Sequence, residues 1–220
     1  VDGGRCLAQR VEELELVSPV VLGLPLGGIV VAAEVAGALG VPFDVFVAIG
    51  VVLPGGGDFG IGAVAEGLPE PVVSETSRLL GVGPRDLGIL AEQARGEIRR
   101  QVLRYRGGRT LPDLAGRNVV LVDDGSAAAV TAEAALRALR YRRPTRLVLA
   151  SPVCSRAAAS RAGDVADDVV CTEVPVAVFA SRHWYDDDSP EPEREVLALL
   201  GSRFARATSA PDVRRRASAG

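Results

Sequence analysis

The sequence predicts an α/β fold, a doubly wound and mostly parallel sheet with helices on both faces. Short β-branched runs alternate with amphipathic segments along the chain, which is the pattern of strands joined by helical crossovers. The runs Val20 to Leu24 and Val119 to Val122 are continuously apolar, as strands covered on both faces must be. At 220 residues, with 48% hydrophobic and 24% charged side chains, the chain can build a substantial core.

Val20 to Leu24 reads as a buried strand, followed by a glycine-rich turn and a helix near Ile29 to Leu39. Phe43 to Leu53 reads as a second strand, ended by Pro54 and three glycines. Ile61 to Ala65 and Val72 to Ser74 are short strands that fit a hairpin or flap, a small hood beside the main sheet. Pro84 to Tyr105 predicts a long helix with proline in its first turn. Leu87, Leu90, Ala91, Ala94, Ile98 and Val102 form its apolar face. Asn118 to Val122 is a strand, Thr131 to Leu139 a helix, and Arg146 to Ala150 a strand. Val165 to Cys171 predicts a last strand and Glu193 to Leu200 a closing helix. Residues 1–201 are expected to form one domain. Residues 202–220 have little periodicity and contain Arg214, Arg215 and Arg216, so a disordered basic tail is expected.

Composition excludes several function classes. A formal net charge of −3 argues against a general nucleic-acid binder. All 25 cationic side chains are Arg, so neither a Schiff-base lysine nor a lysine clamp on phosphate can arise within the chain. One His and three cysteines without zinc-type spacing give no metal site. Cys6, Cys154 and Cys171 are expected to be packed or idle thiols in a reducing cytoplasm. The charged N-terminal stretch predicts no signal segment, and the stretch Leu16 to Ala33 is too broken by Pro and Gly for a membrane span.

Ligands of such sheets sit beyond the carboxyl ends of the strands, which directs attention to three loops. Pro25-Leu26-Gly27-Gly28 follows the first strand, and its glycines free the backbone to turn tightly and present N–H groups to an anion. The second loop lies at the end of the strand carrying Ile49, Gly50, Val51 and Val52, all uncharged, and its three glycines fit a lid or a surface loop. The third is the most specific: Val119-Val120-Leu121-Val122-Asp123-Asp124-Gly125 is a buried strand ending in two acids and a glycine. Adjacent carboxylates are costly to crowd unless they meet hydroxyls, a cation or positive groups. They suit a sugar diol, with the following helix N-terminus facing a phosphate; an acidic turn with a helix cap is the plainer alternative.

With these stretches the chain resembles the type I phosphoribosyltransferase family, over roughly Val20 to Leu200. It looks closest to a bacterial branch with a Pro-Arg-Gly-Gly turn and a Val-Asp-Asp-Gly-x-Ala-Thr-Gly-x-Thr loop. Matching stretches are Pro25 to Gly28, Ile61 to Gly67, Tyr105-Arg106-Gly107-Gly108, Val122 to Gly125, Thr131 and Trp184 to Asp187. The resemblance implies transfer of ribosyl phosphate from phosphoribosyl pyrophosphate, usually with Mg2+, to a nitrogenous acceptor. Carried over by position, Asp123 and Asp124 would meet the ribose hydroxyls. Thr131 would belong to the phosphate loop, Gly27 and Gly28 would approach the pyrophosphate, and Gly125 and Ser126 are further candidate substrate-binding residues.

The departures are concentrated in the same subsites. Leu26 stands where the branch has arginine, Ile49 and Gly50 where it has Arg-Lys, and Ala128 and Ala129 where it has Thr-Gly. Charge-assisted hydrogen bonds contribute about 1.5–3 kcal/mol each, so losing about three would weaken binding by roughly 10³-fold or more. Arg78, Arg99, Arg100 and Arg106 are the arginines that could swing in to compensate.

Further candidates are Glu66 and His183 as acid–base groups, and Trp184 and Tyr185 as a stacking surface for an acceptor ring. The first functional expectation is a phosphoribosyltransferase-fold enzyme whose ancestral site has eroded. It would tailor or cyclise a less charged substrate in specialised metabolism, with Pro25, Leu26, Ile49, Val51, Ala128 and Ala129 lining the cleft. The alternatives are an active transferase using Asp123 and Asp124, or a non-catalytic binding or regulatory module. The expected partner is a small molecule, with no nucleic acid or membrane, and a homodimer is common for this fold. Mg2+ and phosphoribosyl pyrophosphate are expected only if the ancestral activity survives.

Overall fold

The computed structural model describes residues 2–54, 60–126, 128–176, 194 and 196–201. In chain order the elements are α1 (Asp2–Glu12), β1 (Val20–Gly23), α2 (Gly27–Ala38), β2 (Phe43–Val45), β3 (Ala48–Val52), β4 (Gly60–Ala65) and β5 (Val72–Val73). They continue as α3 (Glu75–Leu79), α4 (Pro84–Arg106), β6 (Asn118–Val122), α5 (Ala129–Arg140), β7 (Arg146–Val153), α6 (Arg156–Gly163) and β8 (Asp168–Glu173). Arg194 and residues 196–201 are helical, and Val196 and Leu200 bury their side chains in the core, where the closing helix was expected.

The main sheet has the order β2-β1-β6-β7-β8, and every pairing in it is parallel. Strand alternation divides the core in two. Val120, Val122, Val148 and Ala150 face a cluster with Leu7 and Val11 of α1 and Ile29, Ala32 and Val35 of α2. Val119, Leu121, Leu147 and Leu149 face the opposite cluster, with Ala134, Leu136 and Leu139 of α5 and Ala162 of α6. Helices therefore cover both faces, as the apolar strands require.

Phe43 to Leu53 is two strands rather than one. Phe46 and Val47 interrupt the run, sending β2 into the parallel sheet and β3 into a second, antiparallel sheet of order β3-β4-β5. Both linking residues are fully buried, so an unbroken apolar run conceals the change of partner. This small sheet lies between α4 on one face and α5 on the other.

Three helices escaped the sequence reading. Leu7, Ala8 and Val11 give α1 a narrow buried stripe, while α3 and α6 are short. Their caps are ordinary ones: Ser74 Oγ accepts the Ser77 N–H at 3.2 Å, and Ser155 Oγ accepts the Ala158 N–H at 3.1 Å. The last strand begins at Asp168 rather than Val165, because Val165 and Ala166 donate to the Ala162 carbonyl and close the turn after α6. The expectation of three idle thiols is also corrected. Cys154 and Cys171 form a disulfide joining the end of β7 to β8, and Cys6 alone is free.

Candidate functional site

β1 and β6 are neighbours in the sheet, so the loops that leave their carboxyl ends lie side by side. The Leu24 N–H donates to the Val122 carbonyl at 2.9 Å, extending the pairing to the threshold of both loops. A β-carbon on Gly28 would stand 3.0 Å from the Val122 carbonyl oxygen, and one on Gly27 would overlap the Asp124 carboxylate. At Gly28 two backbones meet, whereas at Gly27 it is the Asp124 side chain that occupies the space a β-carbon would take. Gly27 and Gly28, in the loop that also carries Pro25 and Leu26, thus stand against Asp124 and Asp123.

Leu26 is the residue preceding α2. Its φ is 65° and its ψ −118°, a left-handed conformation unusual for a side chain of that shape, and 51% of its surface is exposed. It puts no side-chain oxygen over the amino end of α2. Ala128, preceding α5, likewise caps nothing. Two helix amino ends, each lacking a side-chain cap, therefore flank the acid pair, and such ends present N–H groups and partial positive charge to anions.

Asp123 is buried at the end of β6, where its own N–H donates to the Ala150 carbonyl at 3.0 Å. Its Oδ2 accepts the Gly125 N–H at 3.2 Å. Burial first, and then the neighbouring Asp124 charge, push its carboxyl up to about 8. At neutral pH the Asp123 carboxyl is accordingly held mostly in its neutral form. Asp124 Oδ1 accepts both the N–H and the hydroxyl of Ser126, which fixes the turn. Gly125 sits at φ 87°, and a β-carbon there would meet the Val153 carbonyl oxygen at 2.5 Å.

Thr131, in the first turn of α5, is buried, and its N–H donates to the Ala128 carbonyl at 2.8 Å. A β-carbon on Gly50 would stand 3.4 Å from its hydroxyl oxygen, so β3 closes over the α5 end from the small sheet. Ile49 and Val51, expected in the cleft wall, are on the other face of β3. They pack in the cluster that holds Leu87, Ala91 and Ile98 of α4. A period of two decides this: in β3, Gly50 is the residue that turns to the site. The sequence signal was present, a glycine between two large apolar neighbours.

Glu66 is not brought to the acid pair by any contact among the described residues. One carboxylate oxygen accepts the Val47 N–H at 2.9 Å and the other pairs with Arg106, which is buried. Arg106 is thus held in the interior rather than free to swing into the cleft, and Arg100 pairs with Glu97 along α4. Asp44 on β2 is buried and pairs with the exposed Arg109 at 3.5 Å. Burial raises its carboxyl, against the Val45 N–H and the nearby guanidinium groups of Arg109 and Arg106. Neither Asp44 nor Arg109 was singled out by the sequence. His183, Trp184 and Tyr185 lie outside the described residues, as do residues 202–220. Among the described residues no group of three His, Cys, Asp or Glu side chains could hold a metal ion, and no helix is long and apolar enough to cross a membrane.

A model of the phosphoribosyl transferase domain matches residues 2–187. The chain belongs to the phosphoribosyltransferase family. A Mycobacterium tuberculosis protein carrying the name "Putative phosphoribosyl transferase" is 35% identical over 199 residues, covering 90% of this chain and 45% of its own length. The chain thus spans less than half of that relative. A Thermus thermophilus protein of solved structure superposes with a TM-score of 0.74 at 39% identity, over 90% of this chain and 94% of its own. The acid pair lies at the carboxyl edge of the parallel sheet, the edge where folds of this class gather their ligand-binding loops.

Proposed function

We propose that the chain is a phosphoribosyltransferase that works on a donor of the phosphoribosyl pyrophosphate class with a weakened grip on the diphosphate. The observation that carries this reading is the pair of helix amino ends flanking Asp123 and Asp124. The 5-phosphate would rest on the first turn of α5 beside Thr131, the ribose hydroxyls on the two carboxyl groups, and the diphosphate on the backbone at Gly27 and Gly28. Backbone N–H groups and helix dipoles there take over part of what arginine and lysine would supply. Leu26 adds no charge, so the diphosphate subsite is the weaker one.

Mg2+ fits this arrangement only as a partner of the donor. Two carboxyl groups, with no third protein ligand among the described residues, suit a cation that keeps its waters and rides on substrate phosphates. Bound there it would neutralise charge developing on the departing diphosphate.

The alternative reading, a cleft made apolar for an uncharged substrate, draws support from exposed Leu26 at the mouth. It loses two of its expected wall residues, since Ile49 and Val51 pack toward α4. Calorimetry with phosphoribosyl pyrophosphate and Mg2+ separates the two. Saturable binding with Kd on the order of 0.1–1 mM, with diphosphate release to a nitrogenous base abolished by Asp124→Asn, is the expected result. No heat of binding and no diphosphate release would overturn the proposal and leave the apolar reading.

A further inference from the structure

The chain passes from the main sheet to the small sheet at Phe46 and Val47, and the bonds at this crossing form one connected set. The Phe46 N–H donates to the carbonyl of Gly23, the last residue of β1, at 2.9 Å. The Val47 N–H donates to Glu66 Oε1 at 2.9 Å, and the Glu66 N–H returns to the Val47 carbonyl at 2.9 Å. The remaining oxygen of Glu66 is held by Arg106, the last residue of α4. Glu66 follows β4 directly, so one guanidinium ties the hairpin of the small sheet to the helix behind it and to the crossing.

Stability is a poor explanation for this pair. The two side chains are 3% and 11% exposed, so both charges have been taken out of water. Two further nitrogens of Arg106, Nε and Nη1, are buried with no hydrogen-bond partner among the described residues. A buried ion pair often returns no more stability than an apolar pair of similar size, and unmet donors make it worse. What the pair does supply is attachment: it ties the end of β4 and the crossing ahead of β3 to α4. Gly50 of β3 in turn approaches Thr131 at the amino end of α5, and Gly23 leads straight into the loop carrying Gly27.

We infer that Arg106 and Glu66 are positioning residues, which hold the small sheet at the distance from α5 that a 5-phosphate needs. The inference rests on the function proposed above for its kinetic readout but not for its structural one. The test is the double variant Glu66→Gln/Arg106→Met. Gln keeps the acceptor for the Val47 N–H, and Met fills the volume without a charge.

A misplaced contact of about 1 Å can cost up to roughly 10²-fold, and the expected result is a rise in KM for phosphoribosyl pyrophosphate of about tenfold or more with kcat changed less. Residues 48–52 should exchange amide hydrogens faster than in the wild type, while Tm stays within about 4 °C. Unchanged KM and unchanged exchange would overturn the inference. So would a large fall in Tm or failure to fold, since the pair would then be a stability element. If the wild type neither binds nor turns over the donor, the proposed function falls, and the exchange measurement alone decides the positioning role.

Discussion

Asp123 is a carboxyl group that the fold keeps protonated. Burial and the adjacent Asp124 raise it to about 8, whereas in the unfolded chain it titrates near the ordinary value of about 3.9. A group raised on folding gives stability that is complete below its unfolded value and is lost as pH climbs through its folded value. The protein should therefore lose on the order of a few kcal/mol between about pH 4 and pH 8 from this residue. Asp123→Asn removes an ionisation that folding opposes and should flatten that slope, which urea melts at several pH values will show. An equally steep slope in the variant would mean that another group carries it. The adjacency of two acids at a strand end was plain in the sequence. That Asp123 would be held neutral was not, because that depends on burial, and Asp123 is the buried one of the two.

Among the elements, the turn after β6 shows how tightly the site loop is held by its neighbours. Gly125 is left-handed and packed against the Val153 backbone. Gly125→Ala meets both a strained φ and a carbonyl oxygen, so a loss of about 1–3 kcal/mol is expected, read as a fall in urea midpoint at unchanged m. No change in midpoint would show that the turn can rearrange. Strands with a clean apolar pattern were legible: Asn118 to Val122 was read with its observed ends, and the long helix from Pro84 within one residue. The run Phe43 to Leu53 was not, because apolar periodicity does not record which sheet a strand joins. The same blindness put Ile49 and Val51 in the cleft. Their alternation with Gly50 was visible, yet which face of β3 met the site was set by α4 and α5, elements distant in sequence.

At the scale of the whole molecule, the parallel sheet and its two helical layers followed from the alternation of strand and helix patterns. The acid pair and its glycine-rich neighbour were legible as a candidate site, because each follows a strand with a clear apolar pattern. What stayed hidden was long-range and polar. Arg106 and Glu66 are 40 positions apart, and no local pattern announces that their charges are buried together. Arg106 did fall within a stretch matched to the family, Tyr105 to Gly108, but nothing in that stretch distinguishes a guanidinium aimed at a ligand from one aimed inward.

The bond between Cys154 and Cys171 has a practical corollary for anyone preparing the protein. It closes a loop of 17 residues across the edge of the main sheet, and Val153, the residue before its first half, is the surface on which Gly125 rests. A loop of that length is worth about 3 kcal/mol in the chain-entropy account. Material made in an oxidising compartment should melt measurably above the same chain produced in a thiol-rich cytosol or treated with dithiothreitol. Identical melting curves would mean that the two sulfurs lie close without being joined in solution. The choice of expression host is thus also a choice of how firmly the ligand-facing turn is braced.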